Sequence, residues 1–285
     1  MIYVLLSVVC SVLVSVLLKL ARRRGVDIGQ AVAWNYLVAS ALTALILQPS
    51  LATLREPGAP WISLVGLGIL LPTIFLALGA SVRHAGIVRS DAAQRLSLLI
   101  SLLAAFVLFG ERLTALKGIG IALGLLSLLC MVWRSHKTGT REGLAGWLYP
   151  LLVLCGFGII DILFKRVALA GVPLGASLQA MFALALPVAF GLQWWRRMRD
   201  GVRFAARSAL GGMALGLANF GNIFFYLRGH QALPQHPALV FTSVSIGVVA
   251  LGALVGTLVF RERLSALNLV GVALALLAIV LIAAT

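Results

Sequence analysis

The sequence predicts an all-α, polytopic membrane protein with ten transmembrane helices arranged as a 5+5 inverted repeat, and three observations carry that reading. The 285 residues are 61% hydrophobic and 11% charged, with a mean hydropathy of +1.08, a balance that ordinary soluble domains do not have. Apolar runs of crossing length recur along the whole chain. A stretch of the first half also returns, at many positions residue for residue, in the second.

The runs lie near 2–20, 30–47, 61–82, 88–109, 115–133, 144–165, 174–195, 208–228, 237–260 and 266–284, the fourth being shorter and polar at its head. Ten runs of about 20 residues use roughly 200 positions, which leaves short connections and no separate soluble domain. The charged or Pro-bearing breaks include ARRRGVD, PSLATLREPGAP, RSHKTGTREG, RRMRDGVRFAAR and HQALPQHP. Each run is continuously apolar for about twice the length of a barrel strand, so helices satisfy the backbone in lipid. The first run has its positive cluster, Arg22 to Arg24, behind it. A secretory signal carries that charge in front, so the run is expected to remain as a span.

The net charge of +15 comes from 23 Lys and Arg against 8 Asp and Glu. These cations sit between apolar runs, where they set topology and meet anionic headgroups; a nucleic-acid reader would gather them on one solvated face. Membrane lipids are therefore the expected macromolecular surroundings, and nucleic acid is not a partner. Cys10, Cys130 and Cys155 fall inside apolar runs and form no disulfide framework. His84, His136, His230 and His236 have no metal-ligand spacing, and no Gly-Lys-Ser/Thr phosphate loop exists. No metal, cofactor or ATP-driven step is expected.

The repeat is FGERLTALKGIGIALGLL at 109–126 against FRERLSALNLVGVALALL at 260–277, identical at 11 of 18 positions. Lys19, Gly25, Val26 and Gly29 similarly meet Lys165, Gly171, Val172 and Gly175. This divides the chain into a first repeat at 1–133, a linker at 134–143 and a second repeat at 144–285. Five is odd, so the second copy enters the membrane from the opposite side, a common basis for alternating access with the site between the halves. Connections after the odd-numbered helices carry 17 Lys and Arg and the other side 6, which predicts that both termini are non-cytoplasmic.

The ten-helix duplication, the Gly-Glu-Arg-Leu turn at 110–113 and its Arg-Glu-Arg-Leu echo at 261–264 resemble the drug/metabolite transporter superfamily, EamA type. The resemblance implies a bundle with a central cavity lined mainly by helices 1, 3, 4, 6, 8 and 9, with helices 5 and 10 behind. It also implies a transporter of small metabolites, often outward, with substrates that include amino acids, nucleotide sugars and phosphorylated compounds. Two departures stand out. Helix 1 carries Ser7, Ser11, Ser15 and Lys19 in place of the embedded Glu of the small multidrug-resistance relatives, and the charge count places the termini opposite to the usual assignment.

An ionisable group inside a span costs about 2.5–3.5 kcal/mol on insertion scales, so each one needs a partner, a cavity or an escape to the interface. On helix 4, Asp91 and Arg95 are four apart and share a face with Gln94, Ser97 and Ser101. On helix 6, Asp161 and Lys165 repeat that spacing, read either as a gated, protonatable carboxylate or as an ion pair near the helix end. Asn219 and Asn222 on helix 8 offer amides to a substrate or glue to a neighbouring helix. Thr242 and Ser245 on helix 9 stand where helix 4 has charges. The expected cavity set is thus Asp91, Gln94, Arg95, Lys19, Asn219, Asn222, Thr242 and Ser245, with Asp91 and Asp161 as proton-coupling candidates.

Trp34, Tyr36, Trp61, Trp147, Trp194 and Trp195 are expected in the interfacial belt. Asn35 and Gln179 read as structural. Pro72 and Pro187 are positioned to kink helices 3 and 7. Glycine spacings 120/124, 212/216 and 252/256 fit close helix packing within one monomer, with a homodimer as the alternative. The expected function is a secondary transporter or facilitator exporting a small polar metabolite, an amino acid or organic anion, across the inner membrane, and not an enzyme. The alternatives are a flippase for a lipid-linked sugar and a non-transporting scaffold or regulatory subunit.

Overall fold

The computed structural model describes residues 1–56, 58–85, 87–132, 145–260 and 266–283. They form ten α-helices: α1 (Ile2–Arg23), α2 (Ile28–Leu42), α3 (Trp61–Ala85), α4 (Ile87–Val107), α5 (Ala115–Val132), α6 (Ala145–Leu169), α7 (Leu174–Asp200), α8 (Ala206–Ala232), α9 (Pro237–Phe260) and α10 (Ala266–Ala283). A π-helical turn at Thr43–Leu47 prolongs α2, and a short 3₁₀ turn at Leu51–Arg55 follows it. No strand occurs among the described residues. As candidate crossings the ten helices are not all of equal standing. Six segments are long and apolar enough to cross a membrane, 28–47, 61–81, 146–169, 174–200, 206–232 and 237–259, while those at 2–18, 96–107, 115–127 and 269–278 are shorter.

Helix boundaries follow local chemistry. The Asp27 carboxylate caps α2 by accepting from the Gln30 amide at 2.9 Å, as short acidic side chains do at helix starts. Gly25 and Gly171 close α1 and α6 at matching positive φ values of 65° and 72°, a conformation that favours glycine. The outward faces are apolar: Ile62 is 86% exposed, Leu258 74% and Leu217 59%. In water such a surface would be an aggregation hazard, and in a bilayer it is the lipid face.

The helices pair reciprocally. α3 packs on α6 and α7, while α8 packs on α1 and α2; α4 meets α6 as α9 meets α1; α5 lies along α10. Small residues permit the closest approaches. A Cβ on Gly212 would come within 2.5 Å of the Ala31 carbonyl oxygen and 2.6 Å of Trp34 Cβ, and one on Gly216 within 2.7 Å of Val38 Cβ. The 212/216 spacing therefore joins α8 to α2 inside one chain. Gly124 faces Ile246 of α9 in the same way, but Gly252 has open space around it. Between α5 and α10 the buried Ser127 hydroxyl donates to the Gly271 carbonyl at 2.7 Å.

Trp61, Trp147, Trp194 and Trp195 are exposed, in keeping with belt positions. Tyr36 is a correction. It is completely buried, with its ring 6.4 Å from that of Phe182, because its position on α2 turns towards α7 and away from lipid.

Candidate functional site

Three helices meet at Asp161. The Ser101 hydroxyl of α4 donates to one carboxylate oxygen at 2.7 Å, and the Tyr226 hydroxyl of α8 donates to the other at 2.7 Å. No basic side chain among the described residues lies within ion-pairing distance of Asp161. Glycines let the helices come this close: a Cβ on Gly158 would meet Ile100 of α4, and one on Gly156 would meet Ile74 of α3.

The depth of Asp161 differs from the sequence expectation. That expectation ended helix 6 near residue 165, so Asp161 read as close to the helix end. α6 continues to Leu169, because Phe164, Val167 and Ala168 keep it packed against the core. Asp161 therefore lies eight residues, roughly 12 Å, inside.

The Asp161–Lys165 ion pair, one of the two readings of their spacing, does not form. Lys165 is completely buried and donates to the Pro234 carbonyl, in the α8–α9 connection, at 2.8 Å.

Rings continue the site along α8. Tyr226 packs edge-on to Phe164 at 5.6 Å and to His230 at 4.8 Å, and His230 packs on Phe241 of α9 at 4.8 Å. Asn219, Tyr226 and His230 stand seven and four residues apart, so they share a helical face. Both ring nitrogens of His230, Asn219 Nδ2, Thr242 Oγ1 and Ser243 Oγ are buried with no hydrogen-bond partner among the described residues. Buried polar atoms of this kind are costly unless something hydrogen-bonds to them.

The other expected residues fall variously. Asn222 accepts from the Ser7 hydroxyl of α1 at 2.9 Å through its side chain, the interhelical role that the sequence held as the alternative. Gln94 and Ser245 are half-buried on α4 and α9. The Gln179 amide donates to the Ser40 hydroxyl at 2.9 Å. Positions 91 and 95 belong to α4 and position 19 to α1, but the side chains of Asp91, Arg95 and Lys19 lie outside the described residues. Sequence reasoning had set His230 aside as a metal ligand and had not singled out Tyr226. Their four-residue spacing, in line with Asn219, is the signal that would have found them.

The two ends of the bundle differ. At the end that carries the α1–α2 and α7–α8 connections, the Arg196 guanidinium makes two hydrogen bonds of 2.9 Å to the Asp27 carboxylate. Beside it, the Gln30 amide clamps the α7–α8 backbone, donating to Arg203 at 2.8 Å and accepting from Ala205 at 3.0 Å. At the opposite end, the junction built from the α2–α3 and α6–α7 connections holds a partly open cavity of about 480 Å3 lined by Gln48, Pro49, Gly171, Gly175, Arg228 and Gln231, among others.

Burial alone raises the Asp27 carboxyl, but the hydrogen bonds from Arg196 and from the Gln30 and Gly29 amides outweigh it and hold the group below the ordinary carboxylate value. A carboxyl lowered in the folded state contributes stability above its unfolded pKa, and that contribution is lost as pH falls through the folded value. Asp27→Asn is therefore expected to cost about 1 kcal/mol at neutral pH, the scale of a partly solvated ion pair. The gap between the wild-type and variant melting temperatures should close on acidification; a gap independent of pH would show that the pair contributes nothing.

With this geometry established, comparison with known proteins identifies the family. The EamA-like transporter family matches residues 1–133. The chain belongs to that family, within the drug/metabolite transporter superfamily. An uncharacterized protein of Haemophilus influenzae is 41% identical over 280 residues, which span 96% of this chain and 94% of its own. A protein of known crystal structure superposes with a TM-score of 0.76 at 19% identity, covering 99% of this EamA-like chain and 98% of the other; at that identity the likeness concerns the fold. This EamA-like chain is thus a multi-pass membrane protein of a transporter family.

Proposed function

We propose that the protein is a secondary transporter that exports a small polar metabolite, an amino acid or organic anion, across the inner membrane by alternating access of two inverted five-helix repeats. The observation that carries the reading is the Asp161 carboxylate, half-buried at mid-helix on hydroxyls from two other helices with no cation among the described residues. Such a group is expensive in a bilayer and persists where it takes part in a proton or substrate pathway. Asn219, Thr242 and His230 carry buried polar atoms without a hydrogen-bond partner among the described residues, and in this reading they are open to a substrate. Gln94 and Ser245 belong to the same cavity in this reading, with Asp91, Arg95 and Lys19 completing it.

The reciprocal helix pairing supports the inverted repeat, since exchanging α1–α5 with α6–α10 maps α3–α6 onto α8–α1 and α4–α6 onto α9–α1. The ends support alternation. Equivalent junctions are latched by Asp27 and Arg196 at one end and hold a cavity at the other. With the cation-rich end in the cytoplasm, this is the arrangement of an exporter that is closed inside and open outside.

Two measurements test the reading. A C-terminal alkaline phosphatase fusion is expected to be active and a C-terminal fluorescent-protein fusion dark; the reverse would turn the exporter's closed end outward. A thermal-shift screen of the purified protein should begin with amino acids and organic anions, because a ligand present at 100 times its Kd stabilises the native state by about 2.7 kcal/mol. Binding by lipid-linked sugars alone would overturn the assignment to small metabolites.

A further inference from the structure

We infer that Glu111, in the Gly-Glu-Arg-Leu turn, is a positioning residue for the Asp161 site, acting across the repeat boundary through α9. This rests on the reading of Asp161 given above. Glu111 is buried, and both of its oxygens are engaged. One accepts from Lys117 Nζ at 2.7 Å; the other accepts from the Ala238 amide at 2.7 Å, 127 residues further along the chain. Ala238 is in the first turn of α9, where amides lack partners inside the helix and Pro237 has no N–H at all. A carboxylate there satisfies a free donor and opposes the positive end of the helix dipole. The turn itself is anchored, since the Glu111 amide donates to the Ala105 carbonyl of α4 at 3.1 Å.

The same connection is held from its other side. Lys165, one turn beyond Asp161 on α6, donates to the Pro234 carbonyl. The segment between α8 and α9 is thus pinned between two buried charged side chains, one from each repeat. From Ala238, α9 brings Phe241 against His230, His230 against Tyr226, and the Tyr226 hydroxyl onto Asp161. Phe241 and His230 are almost fully buried, and close-packed rings move together. A displaced α9 start therefore shifts Phe241, loosens His230 and unhooks Tyr226. Glu111 touches none of the groups around Asp161; it sets where they stand.

The test follows Tyr226 by 19F NMR in full-length protein labelled with fluorotyrosine and held in lipid nanodiscs. The chain has four tyrosines, and Tyr226→Phe identifies the resonance. Glu111→Ala is expected to move the Tyr226 signal towards its position in Asp161→Ala, with Tyr3 and Tyr149 unchanged. Glu111→Gln, which keeps an acceptor for the Ala238 amide, should move it less. A Tyr226 signal unmoved in Glu111→Ala overturns the proposal. If all four signals collapse because that variant does not fold, Phe241→Leu interrupts the same chain of rings nearer the site; it must move the Tyr226 signal alone, and an unmoved signal there is equally fatal. The readout does not depend on transport. Full pH-coupled flux in Asp161→Asn, with Tyr226 still responding to Glu111, would overturn the role given to Asp161 and leave the positioning role standing.

Discussion

Replacing Asp161 by Asn is expected to reduce substrate flux in reconstituted vesicles by about 100-fold or more, the scale carried by a positioned proton-exchanging group, while the protein still folds and elutes as the wild type does. The amide keeps the shape and an acceptor for one of the two hydroxyls, so packing among α4, α6 and α8 survives. It cannot take up and release a proton, and it cannot meet a substrate amine as an anion. Ser101→Ala and Tyr226→Phe each remove one hydrogen bond of 2.7 Å and leave the carboxylate in place. Each should therefore cost less than Asp161→Asn, on the order of 10-fold at most, since a single hydrogen bond has a net worth of about 0.5–1.5 kcal/mol. A proton-sensitive dye inside the vesicles separates the two uses of Asp161. Coupled proton movement that persists at the wild-type ratio in Asp161→Asn would remove it from the mechanism.

Gly212→Leu is expected to produce the largest loss of stability, on the order of 3 kcal/mol or more, because overpacking a tight interface forces backbone to move. The obstacles at that position are the Ala31 carbonyl oxygen at 2.5 Å, Trp34 Cβ at 2.6 Å and Ala31 Cα at 2.9 Å, largely backbone that cannot swing aside. Gly191 on α7 is the control, with nothing within 4 Å of an added Cβ. Gly191→Ala should be neutral or stabilising, by up to about 1 kcal/mol, since alanine is the better helix former. Thermal unfolding in detergent reads both. Equal melting temperatures for the two variants would show that the α2–α8 approach is not the constraint it is taken to be here.

The candidate site was legible in parts. Asp161 was visible as an ionisable residue in an apolar run, because its cost in lipid is a property of the residue and its neighbours in sequence. Its depth was misjudged, since the end of α6 is set by Phe164, Val167 and Ala168 packing against other helices, and periodicity locates an element better than its boundary. The pairing of Asp161 with Lys165 was a natural reading of a four-residue spacing. The structure instead sends Lys165 to the Pro234 carbonyl, because a carbonyl acceptor in the α8–α9 connection is available at that end of the helix. Asn222 was ambiguous between a cavity group and interhelical glue until Ser7 of α1 was found opposite it.

Glu111 shows a different kind of illegibility. Its motif was conspicuous for its repetition, yet nothing in the turn announces that the carboxylate serves the Ala238 amide of α9, 127 residues further along the chain.

What the chain declares by itself is the set of properties written along one dimension: apolar runs, the charges that interrupt them, and a copied segment. These arise from hydration cost and from ancestry, and neither requires knowing which helix lies beside which. The meeting of Ser101, Asp161 and Tyr226, and the contrast between a latched and an open junction, belong to the tertiary structure alone. Each depends on the rotation of one helix against another, and that rotation is set by the summed packing of many side chains distant in sequence.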